Sequence, residues 1–225
     1  VSARIDERSN FEDSDIGANS VVVGNCKVSR SFIGVSVVIN DNSRVDDSKV
    51  GDFVFIGDGV VLTSSTIERH AILHDTASVL RSIVGSSDWI GQAVKLFDAQ
   101  LGEHVVIDDL SIIEDSTLGA YSVLGRDVVV VNSLIGTSTR IGESTSIRAG
   151  VSIGSNVIIG RRCDIGKNVR VGDNSRIGDY SSVADGVSIG IETVIGSKSV
   201  IGEQSTLSDR YHLGSRMVLP ENTEL

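Results

Sequence analysis

The heptapeptide FEDSDIG (Phe11–Gly17) decides how this chain folds, because it keeps returning: VSRSFIG at Val28, VDDSKVG at Val45, LTSSTIE at Leu62, VLRSIVG at Val79, LFDAQLG at Leu96, IEDSTLG at Ile113 and VVNSLIG at Val130. The pitch from each copy to the next is a constant seventeen. Self-similarity at fixed pitch is the mark of a solenoid, in which every repeat packs on its neighbours rather than around one shared core.

Between the copies an aliphatic beat continues. From Ile5 it steps by six, five and six through Phe11, Ile16, Val22, Val28, Ile33 and Ile39, and so on to Ile135; from Ile135 to Leu225 the step is a constant six. All 39 of these guide positions are Ile, Val, Leu or Phe. Neither a 3.6-residue helix nor one alternating strand keeps such a beat. A short strand followed by a corner does, three times per coil, so that guides of successive coils stack inside. The expectation is an all-β protein: one parallel β-helix domain over residues 1–225, with 17-residue coils over 1–134 and 18-residue coils over 135–225. Thirteen coils at roughly 4.8 Å each would run about 62 Å.

Side chains alternate along a strand, so the residue two before each guide also points inward. In the heptapeptides that column is Ser14, Ser31, Ser48, Ser65, Ser82, Ala99, Ser116 and Ser133. Three after a guide stand Asn19, Asn25, Asn42, Gly59, Asp127, Gly150, Asn156, Asn168, Asn174, Gly186 and Asn222. These types tolerate positive φ, so the position is expected to be left-handed.

Composition agrees with a one-dimensional core. Among 225 residues only 4% are aromatic, while 40% are hydrophobic and 24 are glycine. The two cysteines, Cys26 and Cys163, read as small buried hydrophobes in a reducing compartment. The chain has no 18-residue apolar run, and VSARIDERSN lacks the parts of a signal peptide, so the expected location is cytoplasmic with no membrane partner. A formal charge of −10 opposes nucleic acid as a general partner.

The segments IGSNVI, IGRRCD, IGKNVR, VGDNSR and IGDYSS (Ile153–Ser182) resemble the hexapeptide-repeat superfamily, whose fold is a left-handed parallel β-helix. The variant with serine-bearing five-residue steps looks most like the C-terminal β-helices of sugar-nucleotide pyrophosphorylases. The resemblance implies two functions. One is a hexapeptide transferase, a homotrimer moving an acyl group from acetyl-CoA to a sugar or sugar nucleotide. The other is a non-catalytic scaffold or regulatory β-helix that works beside a nucleotidyltransferase domain or subunit. Acyltransferases of this superfamily usually carry an excursion loop near a catalytic histidine, and the unbroken beat here departs from that pattern. An ice-binding solenoid would need outward threonine columns, which the sequence lacks.

Candidate residues are few. His70 and His104 both stand three after a guide, on one corner column two coils apart. Either could act as a general base, and either could simply be a corner residue at positive φ. Two coils put them roughly 9.6 Å apart, too far to share one metal ion, so no metal site is expected. Between residues 140 and 176 seven bases (Arg140, Arg148, Arg161, Arg162, Lys167, Arg170, Arg176) face three acids (Glu143, Asp164, Asp173). Arg140, Arg161, Arg162 and Arg176 are the candidates for holding the phosphates of a coenzyme A or a nucleotide.

The residue just before a guide faces out. On the second face this column reads Val21, Val38, Phe55, Ile72, Trp89, Val106 and Val123. Seven outward apolar rungs point to an oligomer interface anchored by Phe55 and Trp89. Asp88 breaks the pattern, because the register aims a carboxylate inward.

Overall fold

The computed structural model describes residues 2–225. Among them every regular element is a strand of two or three residues, and all the pairings are parallel. The chain forms two compact units, Val1–Leu110 and Ser111–Leu225.

In the N-terminal unit three sheets build up from every third strand. One carries Arg4, Val21, Val38, Phe55, Ile72, Trp89 and Val106 in successive rungs and is called here the Val21 face. A second carries Asn10, Lys27, Arg44, Val61, Ser78 and Lys95; the third carries Asp15, Phe32, Lys49, Thr66, Ile83 and Gln100. Every rung partner in these sheets is one 17-residue coil away. The C-terminal unit repeats the plan. Its pairings keep the 17-residue offset at Val123↔Arg140 and Val129↔Ser146, then lengthen to 18 at Leu134↔Ser152, Arg140↔Ile158 and Ser146↔Asp164. Its Arg140 face runs Val123, Arg140, Ile158, Arg176, Val194, His212.

Inside each unit the guides form the core. Ile33, Ile39, Ile56, Leu62, Ile67, Leu73 and Ile90 in the first, and Ile113, Leu118, Leu124 and Ile147 in the second, have essentially no exposed surface. The end guides do not share that shelter: Ile5 is 46% and Leu225 40% exposed.

The 17-residue coil exists because of its serine corner. Two residues after each heptapeptide guide the backbone is left-handed, at Asp13, Arg30, Asp47, Ser64, Arg81, Asp98, Asp115 and Asn132, with φ between 42° and 50°. The next residue is the small one, and its hydroxyl donates to the carbonyl two back, as Ser48 does to Asp46 (2.7 Å) and Ser65 to Thr63 (2.8 Å). The same oxygen accepts the N–H of its counterpart one coil on: Ser31 to Ser14, Ser48 to Ser31, Ser65 to Ser48, Ser82 to Ser65 and Ala99 to Ser82, at 3.0–3.2 Å. Each buried serine is thus satisfied twice, and one residue fewer turns the corner.

The six-residue corners use the third position after the guide, where Asn19, Asn42, Gly59, Asp127, Gly150, Asn156, Asn168, Asn174, Gly186 and Asn222 are left-handed. Asn25 is a correction: the positive φ falls one residue earlier, on Gly24 (φ 72°). A Cβ there would run into the Asp41 side chain, so the bend sits at the residue that has none. Glycine directly after a guide has a related cause, because at Gly136 a Cβ would lie 2.5 Å from the Gly154 carbonyl of the next coil.

Candidate functional site

The outward apolar column is in register through the N-terminal unit, with Val21 beside Val38, Phe55 between Val38 and Ile72, and Trp89 between Ile72 and Val106. Val21, Val38, Phe55 and Ile72 are half-buried by their own neighbours, whereas Trp89 is 43% exposed. Val123 heads the Arg140 face of the C-terminal unit and is 37% exposed. Phe32 and Leu134, on other faces, are more exposed than any of these (51% and 53%). Phe32, however, has Asp15 and Lys49 as its rung neighbours and stands alone. Among the described residues of the N-terminal unit, only the Val21 face stacks apolar groups on six successive rungs, from Val21 to Val106. Trp89 is steadied by His74, whose ring lies 4.2 Å from the indole at a 44° tilt.

His70 and His104 occupy left-handed corners (φ 61° and 57°), as a corner residue would. His70 stacks flat on Phe53 of the preceding coil, 5.1 Å between centroids. The backbone N–H groups of His70 and His104 each hold a carbonyl of the coil before, Asp52 and Ser86. Among the described residues no group of three His, Cys, Asp or Glu side chains is placed to hold a metal ion.

Asp88 does point inward. It is 1% exposed, and burial pushes its carboxyl up to about 7 against two backbone N–H donors, Val105 and Gly85, each at 2.7 Å.

The arginines divide by partner. Arg161 is held between carboxylates, with Asp179 at 3.6 Å and Glu143 at 3.8 Å, and Arg148 is paired with Asp164 at 2.7 Å. Arg140 and Arg176 project from one face, two rungs apart with Ile158 between them. Neither has a carboxylate within 4.0 Å among the described residues. Beside Arg176 an open depression of about 380 Å³ is lined by Ile158, Gly160, Asp179, Val194, Ser197 and Ser215. Arg162 stands at a corner beside Tyr180, its guanidinium 5.7 Å from the ring centre. Tyr180 and Lys198, which the charge count left out, lie on the same corner column; the signal for them is their place three after a guide.

Three parallel sheets, each coil turned by three short strands, define both units as β-solenoids. Residues 138–172 match the family model described as bacterial transferase hexapeptide (six repeats). That match spans 35 of the 225 residues and lies wholly inside the stretch that keeps the constant six-residue beat. Among solved structures, it is similar to the UDP-N-acetylglucosamine O-acyltransferase of Moraxella catarrhalis (15% identity over 92% of this chain and 69% of that one, TM-score 0.34). It is also similar to the UDP-N-acetylglucosamine acyltransferase of Arabidopsis (14%, 83% and 65%, TM-score 0.36). A third likeness is to the acetyltransferase domain of PglB from Neisseria gonorrhoeae in complex with acetyl coenzyme A (16%, 58% and 55%, TM-score 0.27). No curated protein matches the sequence.

Proposed function

We propose that the chain is a hexapeptide-type transferase that holds the phosphates of its donor, acetyl-CoA or a sugar nucleotide, against the Arg140 face of the C-terminal unit. One observation carries this reading: Arg140 and Arg176 stand in one outward column, with no described carboxylate within 4.0 Å of either, and Arg176 lines an open depression with apolar rungs at Ile158 and Val194. Arginine forks suit phosphate oxygens, and the aliphatic rungs suit the less polar part of such a donor. Calorimetry with acetyl-CoA and with a nucleoside diphosphate sugar tests it. Binding should weaken with salt and fall at least tenfold in the double variant Arg140→Ala, Arg176→Ala, with a smaller change for Arg161→Ala, whose charge is already matched. Binding that ignores the double variant would refute the assignment.

A second reading rests on the uninterrupted apolar ladder Val21–Val106, which suits an assembly surface in a homotrimer or against a nucleotidyltransferase partner. Trp89→Glu puts a charge into that seam. Ultracentrifugation should then show a wild-type oligomer dissociating while the circular dichroism of the strands is kept; a wild-type monomer at micromolar concentration removes self-assembly from this reading.

A further inference from the structure

One corner of the C-terminal unit is built from the wrong residues for a corner. Beyond Asp127 and Ser144 its left-handed position reads Arg162, Tyr180, Lys198, Arg216, at φ 53°, 59°, 61° and 61°. The corner after the next strand of the same coils reads Gly150, Asn168, Gly186, Gln204, Asn222, mostly the types that adopt this backbone readily. Long side chains at positive φ are strained, and such strain concentrates where function holds it in place.

The column is in line. The N–H of Arg162 donates to Glu143 O (2.8 Å), Tyr180 to Arg161 O (2.9 Å), Lys198 to Asp179 O (2.8 Å) and Arg216 to Ser197 O (2.9 Å), so each residue stacks one coil beyond the last. At roughly 4.8 Å per rung, cations stand on the first, third and fourth rungs of a straight edge. Tyr180 fills the second. Its ring lies within cation–π reach of Arg161, Arg162 and Lys198, at 5.6, 5.7 and 6.0 Å. Arg162, Lys198 and Arg216 are exposed, and no described carboxylate lies within 4.0 Å of any of them. On the third corner, by contrast, Arg210 is neutralised by Glu192 at 2.9 Å. Lys198 and Arg216 are neighbouring like charges with nothing of opposite sign between them, an arrangement that an anion would relieve.

We propose that this edge, Arg162–Tyr180–Lys198–Arg216, binds a linear chain of condensed phosphates of three or more units. The inference is independent of the donor reading, which concerns the adjacent Arg140 face. A straight row of point charges and forks over four rungs fits a thin polyanion that can adjust its register. A single-stranded nucleic acid would need an aromatic platform on successive rungs, and this edge has one ring, flanked by the protein's own cations.

Titrating the full chain with long-chain inorganic polyphosphate, tripolyphosphate, orthophosphate, ADP and poly-glutamate tests the proposal. Polyphosphate should bind at least tenfold tighter than orthophosphate or ADP, with affinity falling steeply as salt rises. The double variant Lys198→Asn, Arg216→Asn should lose at least tenfold of that affinity. It should also melt at a higher temperature than wild type without ligand, since asparagine relieves the corner. Arg140→Ala with Arg176→Ala should leave polyphosphate binding within about twofold, while acetyl-CoA binding reports separately on the donor reading. Four outcomes overturn the proposal: no titration at millimolar polyphosphate, unchanged affinity in the corner variant, ADP binding as tightly as the long chain, or poly-glutamate binding more tightly, which would make the partner an acidic protein.

Discussion

Asp88 makes the folded chain sensitive to pH in a direction opposite to that of most carboxylates. Elsewhere the glycine after a guide donates its N–H to the guide carbonyl of the next coil, as Gly34 does to Val50 (2.8 Å) and Gly51 to Ile67 (2.7 Å). At Gly85 that N–H turns to Asp88 Oδ2 instead (2.7 Å), and the ladder there pairs Ile83 with Gln100. The carboxyl that takes this bond is buried, and desolvation raises it from an ordinary 3.8 to about 7 in spite of the two N–H donors. A carboxyl raised on folding binds its proton more tightly in the native state. Stability is therefore greatest below about pH 4 with respect to this group, falls as pH rises, and levels off once Asp88 is ionised above about 7. Three pH units at 1.36 kcal/mol each give a loss of about 4 kcal/mol. Asp88→Ser removes the charge and installs the residue that Ser20 shows to be competent in this column: its hydroxyl accepts from Val37 N–H (3.1 Å) and donates to Gly34 O (2.8 Å). Urea unfolding of both proteins from pH 4.5 to 8.5 measures the difference. Because the assay begins at pH 4.5, above the ordinary value of 3.8, the wild type should lose about 3 kcal/mol relative to the variant across that range. Parallel curves would falsify the reasoning, since every other titrating group is common to both chains.

Ser65→Ala strips an acceptor from the buried Ser82 N–H (3.2 Å) and a donor from Thr63 O (2.8 Å); denaturant unfolding should show a loss of about 1–3 kcal/mol. Gly136→Ala drives a Cβ to 2.5 Å from Gly154 backbone atoms and 2.7 Å from Ser155 N, and the strain should cost about 1–3 kcal/mol with a lower melting temperature. Burial pushes the Cys26 and Cys163 thiols up, so both should resist alkylation at pH 8 in the native chain and react fully in denaturant; rapid native labelling would contradict the packing described.

The fold was legible because its information is one-dimensional. Guide spacing alone fixes which residues stack, and Ile33, Ile56 and Leu73 lie buried where the beat puts them. The serine column was legible as a column, but its double hydrogen bonding was not, because the acceptor role of Ser48 exists only once Ser65 sits one coil away. Asn25 shows a local limit. Asparagine and glycine both allow the left-handed bend, and the choice of Gly24 depends on Asp41 arriving from the next coil.

The candidate site was less legible because charge is assigned across coils, and a local count ignores that offset. Arg161 and Arg176 look alike in a stretch of seven bases and three acids. One coil on from Arg161 is Asp179, and one coil before it is Glu143, so its charge is spent inside the protein. The same steps from Arg176 reach Val194 and Ile158, which leave its guanidinium for a ligand. From Arg162 they reach Tyr180 and Ser144, and from Lys198, Arg216 and Tyr180. A solenoid sequence therefore carries its site in the pairs one coil apart, and the arginines worth mutating are those whose neighbours at that distance carry no opposite charge.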